Sequence, residues 1–241
     1  MIPARILKVT LSRLLEVWQP RYNALGMNAS EIVVAHIRSH RTFVIVDSMD
    51  RWNHMGATLA DAVLQRGIDY KAVVEPRVKN LKAAYPEAIT TSVFARILER
   101  DGAPKVLDWA DGPKPQTLLA LVRVLLENRI ETEEELRVWL ELPESIIRLH
   151  QIKGIKDKTT DYLKILVGAQ TVAVDMHLFG FLEEAGVPTR DYAEAHRILR
   201  EVAEILGVEA SKLDHSIWRY GSSLPTQRRA RVCEAPRAIP A

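Results

Sequence analysis

An apolar helical run ending at Ile152 meets a second one starting near Asp157, and only Lys153, Gly154, Ile155 and Lys156 separate them. So short a connection, centred on glycine, turns the two helices into a tight hairpin. The acidic side chain of Asp157 suits an N-cap. Tyr162, Leu163, Ile165 and Leu166 then recur at helical spacing. A helix N-terminus at such a turn leaves backbone N–H groups free to hold a phosphate oxygen without reading base sequence. The pattern is a helix-hairpin-helix over about residues 145–168.

The rest of the chain also reads as helices. Ile6, Val9, Leu11, Leu14, Leu15 and Trp18 keep a roughly helical period until Pro20. Asn28-Ala29-Ser30-Glu31 offers caps for a helix through Ile37, and residues 56–65 read as a buried helix closed by Gly67. Pro76 marks a boundary or kink within 70–84, and 89–98 is amphipathic. Pro113-Lys114-Pro115 is expected to be a turn before a helix over 118–128. Further helices are expected over 131–142, from Pro143 into the hairpin, and over 175–184, 189–206 and 211–220. Phe43-Val44-Ile45-Val46 is strand-like but short and isolated, so an extended connector is expected. About eleven helices without a sheet make the chain all-α, which excludes doubly wound sheets and barrels.

The segment Ile152-Lys153-Gly154-Ile155-Lys156-Asp157-Lys158-Thr159 resembles the Leu-Pro-Gly-Val-Gly-Arg-Lys-Thr hairpin of base-excision DNA glycosylases. That family is the HhH-GPD superfamily, which includes endonuclease III. Val174-Asp175-Met176-His177 resembles its Val-Asp-Thr-His segment. Lys158 then falls where bifunctional members carry their catalytic lysine, and Asp175 where the family carries its catalytic aspartate. The chain departs from the pattern at Lys153, which replaces the hairpin proline, and at Lys156, which replaces its second glycine. The resemblance implies a two-domain helical DNA-glycosylase fold with the active site in the interdomain cleft. Residues 56–170 would form a helical barrel, and 1–55 would pack with the helices of 171–222, leaving a basic tail at 223–241. The implied partner is double-stranded DNA with a damaged base or abasic site, bound by a monomer.

Composition bounds the cofactors. One cysteine, Cys233, excludes an internal disulfide and any four-cysteine zinc or iron–sulfur site. The cluster that many endonuclease III relatives carry is therefore not expected. His177 and Cys233 offer no ligand spacing, so no catalytic metal is expected. The resemblance implies at most K⁺ or Na⁺ at the hairpin carbonyls of Ile152 and Ile155. A net charge of +2 and a pI near 8.6 permit nucleic acid without demanding it. The positive charge must then be local. Lys153, Lys156, Lys158 and Lys164 crowd the hairpin, and Arg228, Arg229, Arg231 and Arg237 decorate the tail. Charges interrupt every long apolar run, so a cytoplasmic, nucleoid-associated protein without a membrane span is expected.

The implied chemistry is cleavage of an N-glycosidic bond. In bifunctional members a lysine amine displaces the base, forms a Schiff base and cuts the strand by β-elimination. Lys158 would need partial desolvation to attack as the neutral amine; otherwise it is a solvated lysine on a first helical turn. Asp175 would stabilise the developing cation or activate the attacking group, and it also suits an N-cap. Gly154, Ile155, Lys156, Lys153 and Thr159 would hold the DNA backbone, and His177 would orient the helix start. Gln65 and Arg66, at a helix end, are candidates for the wedge that fills the gap left by an extruded nucleotide. Trp52, His54 and Met55 are candidates for a base pocket, with core packing as the alternative. Two rival readings stand beside the lyase: a monofunctional glycosylase using an Asp175-activated water, and a non-catalytic DNA-structure binder.

Overall fold

The computed structural model describes residues 26–47 and 50–223. The helix expected before Pro20 and the arginine-bearing tail with Cys233 lie outside the described residues. In chain order, α1 (Ala29–Ser39) is followed by α2 (Met55–Leu64), a π-helical turn (Tyr70–Val74), α3 (Glu75–Ala84), α4 (Thr91–Asp101) and the short α5 (Ala103–Val106). Then come α6 (Pro113–Glu127), α7 (Glu133–Trp139), α8 (Pro143–His150) and α9 (Asp157–Leu166). The last three are α10 (Met176–Glu184), α11 (Tyr192–Leu206) and α12 (Ala210–Ser223). No strand occurs among the described residues, and 43–46 is an extended connector. The chain divides into two compact units, Met49–Ala173 and Met1–Ser48 with Val174–Ala241. They are called here, from chain order, the middle and the terminal unit.

The middle unit is built around α2. Every residue of this helix is buried, which is the position a helix apolar all round must take. It packs on α3, α4, α6 and α9. Gly56 permits the approach to α4, because a Cβ there would lie 2.9 Å from a Phe94 ring carbon and 3.2 Å from Ala88 Cβ. Gly56→Ala is expected to destabilise the fold by about 1–3 kcal/mol through overpacking. Chemical denaturation measures this, and an unchanged midpoint would mean that the Phe94 ring yields freely.

Both ends of α2 are tied by charge. At its start His54 is the N-cap: Nδ1 accepts from the Ala57 amide (3.0 Å) and Nε2 donates to the Tyr85 carbonyl (2.9 Å). The Glu133 carboxylate accepts from the His54 amide (3.0 Å) and the Thr58 hydroxyl, an anion at the positive helix end. At the other end the Lys114 ammonium donates to the carbonyls of Val63 (3.2 Å), Leu64 and Arg66 (3.1 Å). These are C-terminal carbonyls that no helical amide reaches.

Lys114 can do this because Pro113-Lys114-Pro115 is the first turn of α6, not the turn expected from sequence. A helix's first turn leaves N–H groups unpaired anyway, so prolines without one fit there. Pro76 likewise lies in the first turn of α3, directly after the π-helical turn.

In the terminal unit, α1 opens with a reciprocal capping box between Asn28 and Glu31. It packs Val33, Val34 and Ile37 toward α11, where the Ser30 hydroxyl also donates to Glu201 (2.6 Å). The connector returns along α12, its Val46 amide donating to Ser216 Oγ at 3.0 Å. Helices α10, α11 and α12 close this core through Phe181, Leu182, Val202, Leu213 and Ile217.

Candidate active site

The hairpin joins α8 to α9 as the spacing predicts, with one change at its cap. Lys156, not Asp157, is the N-cap of α9; its backbone is extended and no side chain caps the first amides. Asp157 is already the first helical residue and stands 3.5 Å from His150 Nε2 instead. Ile155 is buried and anchors the turn in the core. Gly154 has φ +101°, and a Cβ there would fall 2.9 Å from Thr117 Oγ1. That hydroxyl lies 2.8 Å from the carbonyls of both Pro113 and Lys153, fastening the turn to α6. Gly154→Ala is expected to distort the turn and cost more than about 1 kcal/mol. Binding of duplex DNA, followed by fluorescence anisotropy, should weaken in parallel.

The carbonyls at and before the hairpin carry hydrogen bonds from the protein. Ile152 O accepts from the Ile155 amide (3.1 Å), Lys153 O from Thr117, and His150 O from the Lys156 ammonium (3.2 Å). Protein donors, one of them cationic, already engage this turn.

Lys158 sits on the first turn of α9, half-buried. Its Nζ donates to Gln65 Oε1 and lies 5.2 Å from the centre of the Tyr162 ring. The structure thus joins the candidate nucleophile to a candidate wedge residue. Arg66 is exposed and, with Lys114 and Lys153, lines a cleft of about 320 Å³ between the end of α2, the start of α6 and Gly154. Burial, then the charges of Arg66 and Lys158, depress the Lys114 ammonium to about 8. Lys153 is exposed at this cleft and Thr159 is buried in its wall, while Lys156 is exposed on the hairpin.

Beneath Lys158 lies a group that sequence reading passed over. Asp61 is fully buried in the middle of α2. It accepts from Trp52 Nε1 (2.8 Å) and from the hydroxyls of Tyr70 (3.1 Å) and Tyr162 (3.2 Å). Burial raises its carboxyl to about 6, against the lowering effect of these donors and of the Lys158 charge. Both tyrosines are held well above the usual phenol range, so they act as donors. Tyr162 presents its ring face to Lys158 and its hydroxyl to Asp61. The signal was present in Met55-Gly56-Ala57-Thr58-Leu59-Ala60-Asp61-Ala62-Val63-Leu64: one charge in a helix otherwise fit for burial must find partners.

This network accounts for the other pocket candidates. Trp52 is half-buried, with its indole N–H committed to Asp61. His54 is committed as a cap and Met55 is wholly enclosed in the core, so packing rather than a ligand explains both.

Asp175 belongs to the terminal unit, where it is the N-cap of α10. Its Oδ1 accepts from the amides of His177 (2.8 Å) and Leu178 (3.2 Å). His177 lies against α12, where a Cβ on Gly221 would come within 2.8 Å of its Nδ1. The cap role of Asp175 and the packing of His177 are therefore present together.

The all-α architecture is that of a helical DNA glycosylase, as a structural comparison shows. The chain is similar in structure to 3-methyladenine DNA glycosylase (MagIII) of H. pylori, solved bound to 1,N6-ethenoadenine. The TM-score is 0.56, over 81% of this chain and 98% of that one, at 15% identity. Residues 110–222 match the family described as a domain of unknown function, DUF8548. No curated protein matches the sequence.

Proposed function

We propose that the chain is a DNA N-glycosylase of base-excision repair, acting on double-stranded DNA with a damaged base, and that Lys158 is its reacting amine with AP-lyase activity. The observation that carries this reading is the setting of Lys158: first turn after a Gly154 hairpin, fixed by Gln65 and Tyr162 above a buried Asp61. The uncapped amides at the start of α9, with Lys153 and Lys156, would take the phosphate beside the lesion. Asp175, the N-cap of α10, is the residue that the resemblance assigns to stabilising the cationic sugar. Lys158 Nζ attacks the anomeric carbon, the C–N bond breaks, and the base leaves with the bonding pair. The proton lost by the attached nitrogen passes to O4′ as the C1′–O4′ bond opens, which gives the Schiff base, and abstraction of a C2′ proton then expels the 3′ phosphate with the bonding pair. Borohydride should trap a covalent complex of the wild type with abasic DNA, and a panel of modified bases should show release of at least one.

One observation favours a second reading. An amide oxygen, an aromatic face and a nearby carboxylate all stabilise an ammonium, the form that does not attack. On that reading Lys158 is a fixed cation and Asp175 activates water. Base release without a trapped complex would select it. Absence of both activities, with DNA binding intact, would leave a DNA-structure binder.

A further inference from the structure

Away from the hairpin, the terminal unit gathers His36, His40 and Glu184, with one ligand atom of each within 4.8 Å of the others. His36 lies in the last turn of α1 and His40 is its C-cap, and their ring centres stand 5.4 Å apart. Glu184 arrives from the last turn of α10.

The surroundings prepare these atoms as ligands. Thr42 Oγ1 lies 3.2 Å from His40 Nδ1 and can accept a hydrogen bond from its N–H, the tautomer whose Nε2 lone pair stands 3.7 Å from Glu184 Oε1. A ligating histidine is oriented in this way, through its second ring nitrogen. The Tyr220 hydroxyl lies 2.9 Å from His40 Nε2 and 3.0 Å from Glu184 Oε1, beside both. His36 Nε2 is buried and has no hydrogen-bond partner among the described residues. A buried polar atom in that state costs free energy that bonding would recover. An aromatic cluster of Phe43, Phe181 and Tyr220 encloses the histidines. Such a cluster alone would explain the rings, but not the pairing of two imidazoles with a carboxylate around one point.

We propose that His36, His40 and Glu184 form a binding site for one borderline divalent transition metal, of the Zn²⁺ or Co²⁺ class, which ties α1 to α10. Two imidazole nitrogens and one carboxylate oxygen are the donors such ions prefer over Mg²⁺ or Ca²⁺. The Tyr220 hydroxyl or a water completes four-coordination. The ion stands independently of the glycosylase reading and stabilises the terminal unit.

The test uses the full chain without an affinity tag, stripped with chelator and titrated with Zn²⁺ by calorimetry and with Co²⁺ by visible absorption. One equivalent should bind, with a rise in Tm, and Co²⁺ should give d–d bands of a low-coordinate site. His36→Ala, His40→Ala and Glu184→Gln should each weaken Zn²⁺ binding at least about tenfold, and Thr42→Ala about tenfold. Glu184→Gln retains an oxygen for the Tyr220 hydroxyl, so it guards against a histidine variant that fails to fold. No saturable one-to-one binding, or binding unaltered in Glu184→Gln and in whichever histidine variants fold, overturns the proposal.

Discussion

Lys158→Ala is expected to abolish the borohydride-trapped complex and to reduce base release at least about a thousand-fold, the scale on which removing a covalent nucleophile acts. Folding should survive, because Lys158 is half-buried on a first helical turn and its loss leaves Gln65 Oε1 and the Tyr162 face without a cation rather than opening the core. Duplex affinity should fall modestly. If the ammonium also contacts a phosphate, the salt slope of log Kobs should shrink by about 0.9, the share of one neutralised charge. Lys158→Met is the sharper control, since it keeps an apolar stem over Tyr162. Base release at wild-type rates in both variants would remove Lys158 from the chemistry and leave Asp175 with water as the nucleophile. Trapping that persists in both would place the amine elsewhere.

The second large effect concerns Asp61. Between about pH 4 and pH 6 its carboxyl is protonated in the fold but ionised in the unfolded chain. The folded state then binds the extra proton, so stability falls as pH rises through this window and is lowest above about 6. The raised value corresponds to about 3 kcal/mol, on the scale of 1.36 kcal/mol per unit. Asp61→Asn should erase this slope. Its amide oxygen can keep Trp52 and Tyr70, and its NH₂ can donate to the Tyr162 hydroxyl, which accepts as readily as it donates. Asp61→Ala should do worse at every pH, because Trp52, Tyr70 and Tyr162 lose the acceptor they share, at a cost of about 1–3 kcal/mol. Denaturant unfolding of the wild type and both variants at pH 4 and pH 7.5 decides the matter. Parallel behaviour of wild type and Asp61→Asn would mean that the carboxyl is ionised throughout.

The helices and the hairpin were legible because their signals are local. Gly154 between two apolar periods, Asp175 before Met176, and Asn28 with Glu31 each declare a turn or cap within four residues. What escaped depends on distant partners. Pro113-Lys114-Pro115 read as a turn until α2's carbonyls, some fifty residues earlier, gave Lys114 its task. Asp157 suited a cap by composition, yet His150 lies close to its carboxylate and the cap passed to Lys156. His54 and Met55 stand beside Trp52 at the start of α2, where a base pocket and core packing read alike in sequence; the cap bonds of His54 and the full burial of Met55 depend on partners distant in the chain. The His36–His40 spacing is visible in the sequence, but its third donor, Glu184, comes from the far side of the middle unit's sequence. Asp61 is the instructive omission, since its burial was implied by the helix around it.

Gripping α2 at one pole with Glu133 and at the other with Lys114 also limits how the molecule could respond to a nucleotide. A rod clamped by opposite charges at its two tips resists sliding lengthwise, because any such shift would break both clamps at once. Asp61 and Gln65, one turn apart on or beside that rod, therefore keep a common register. On the proposed glycosylase reading, what adjusts to DNA would then be the side chain of Lys158 or the strand itself, rather than the helix beside it.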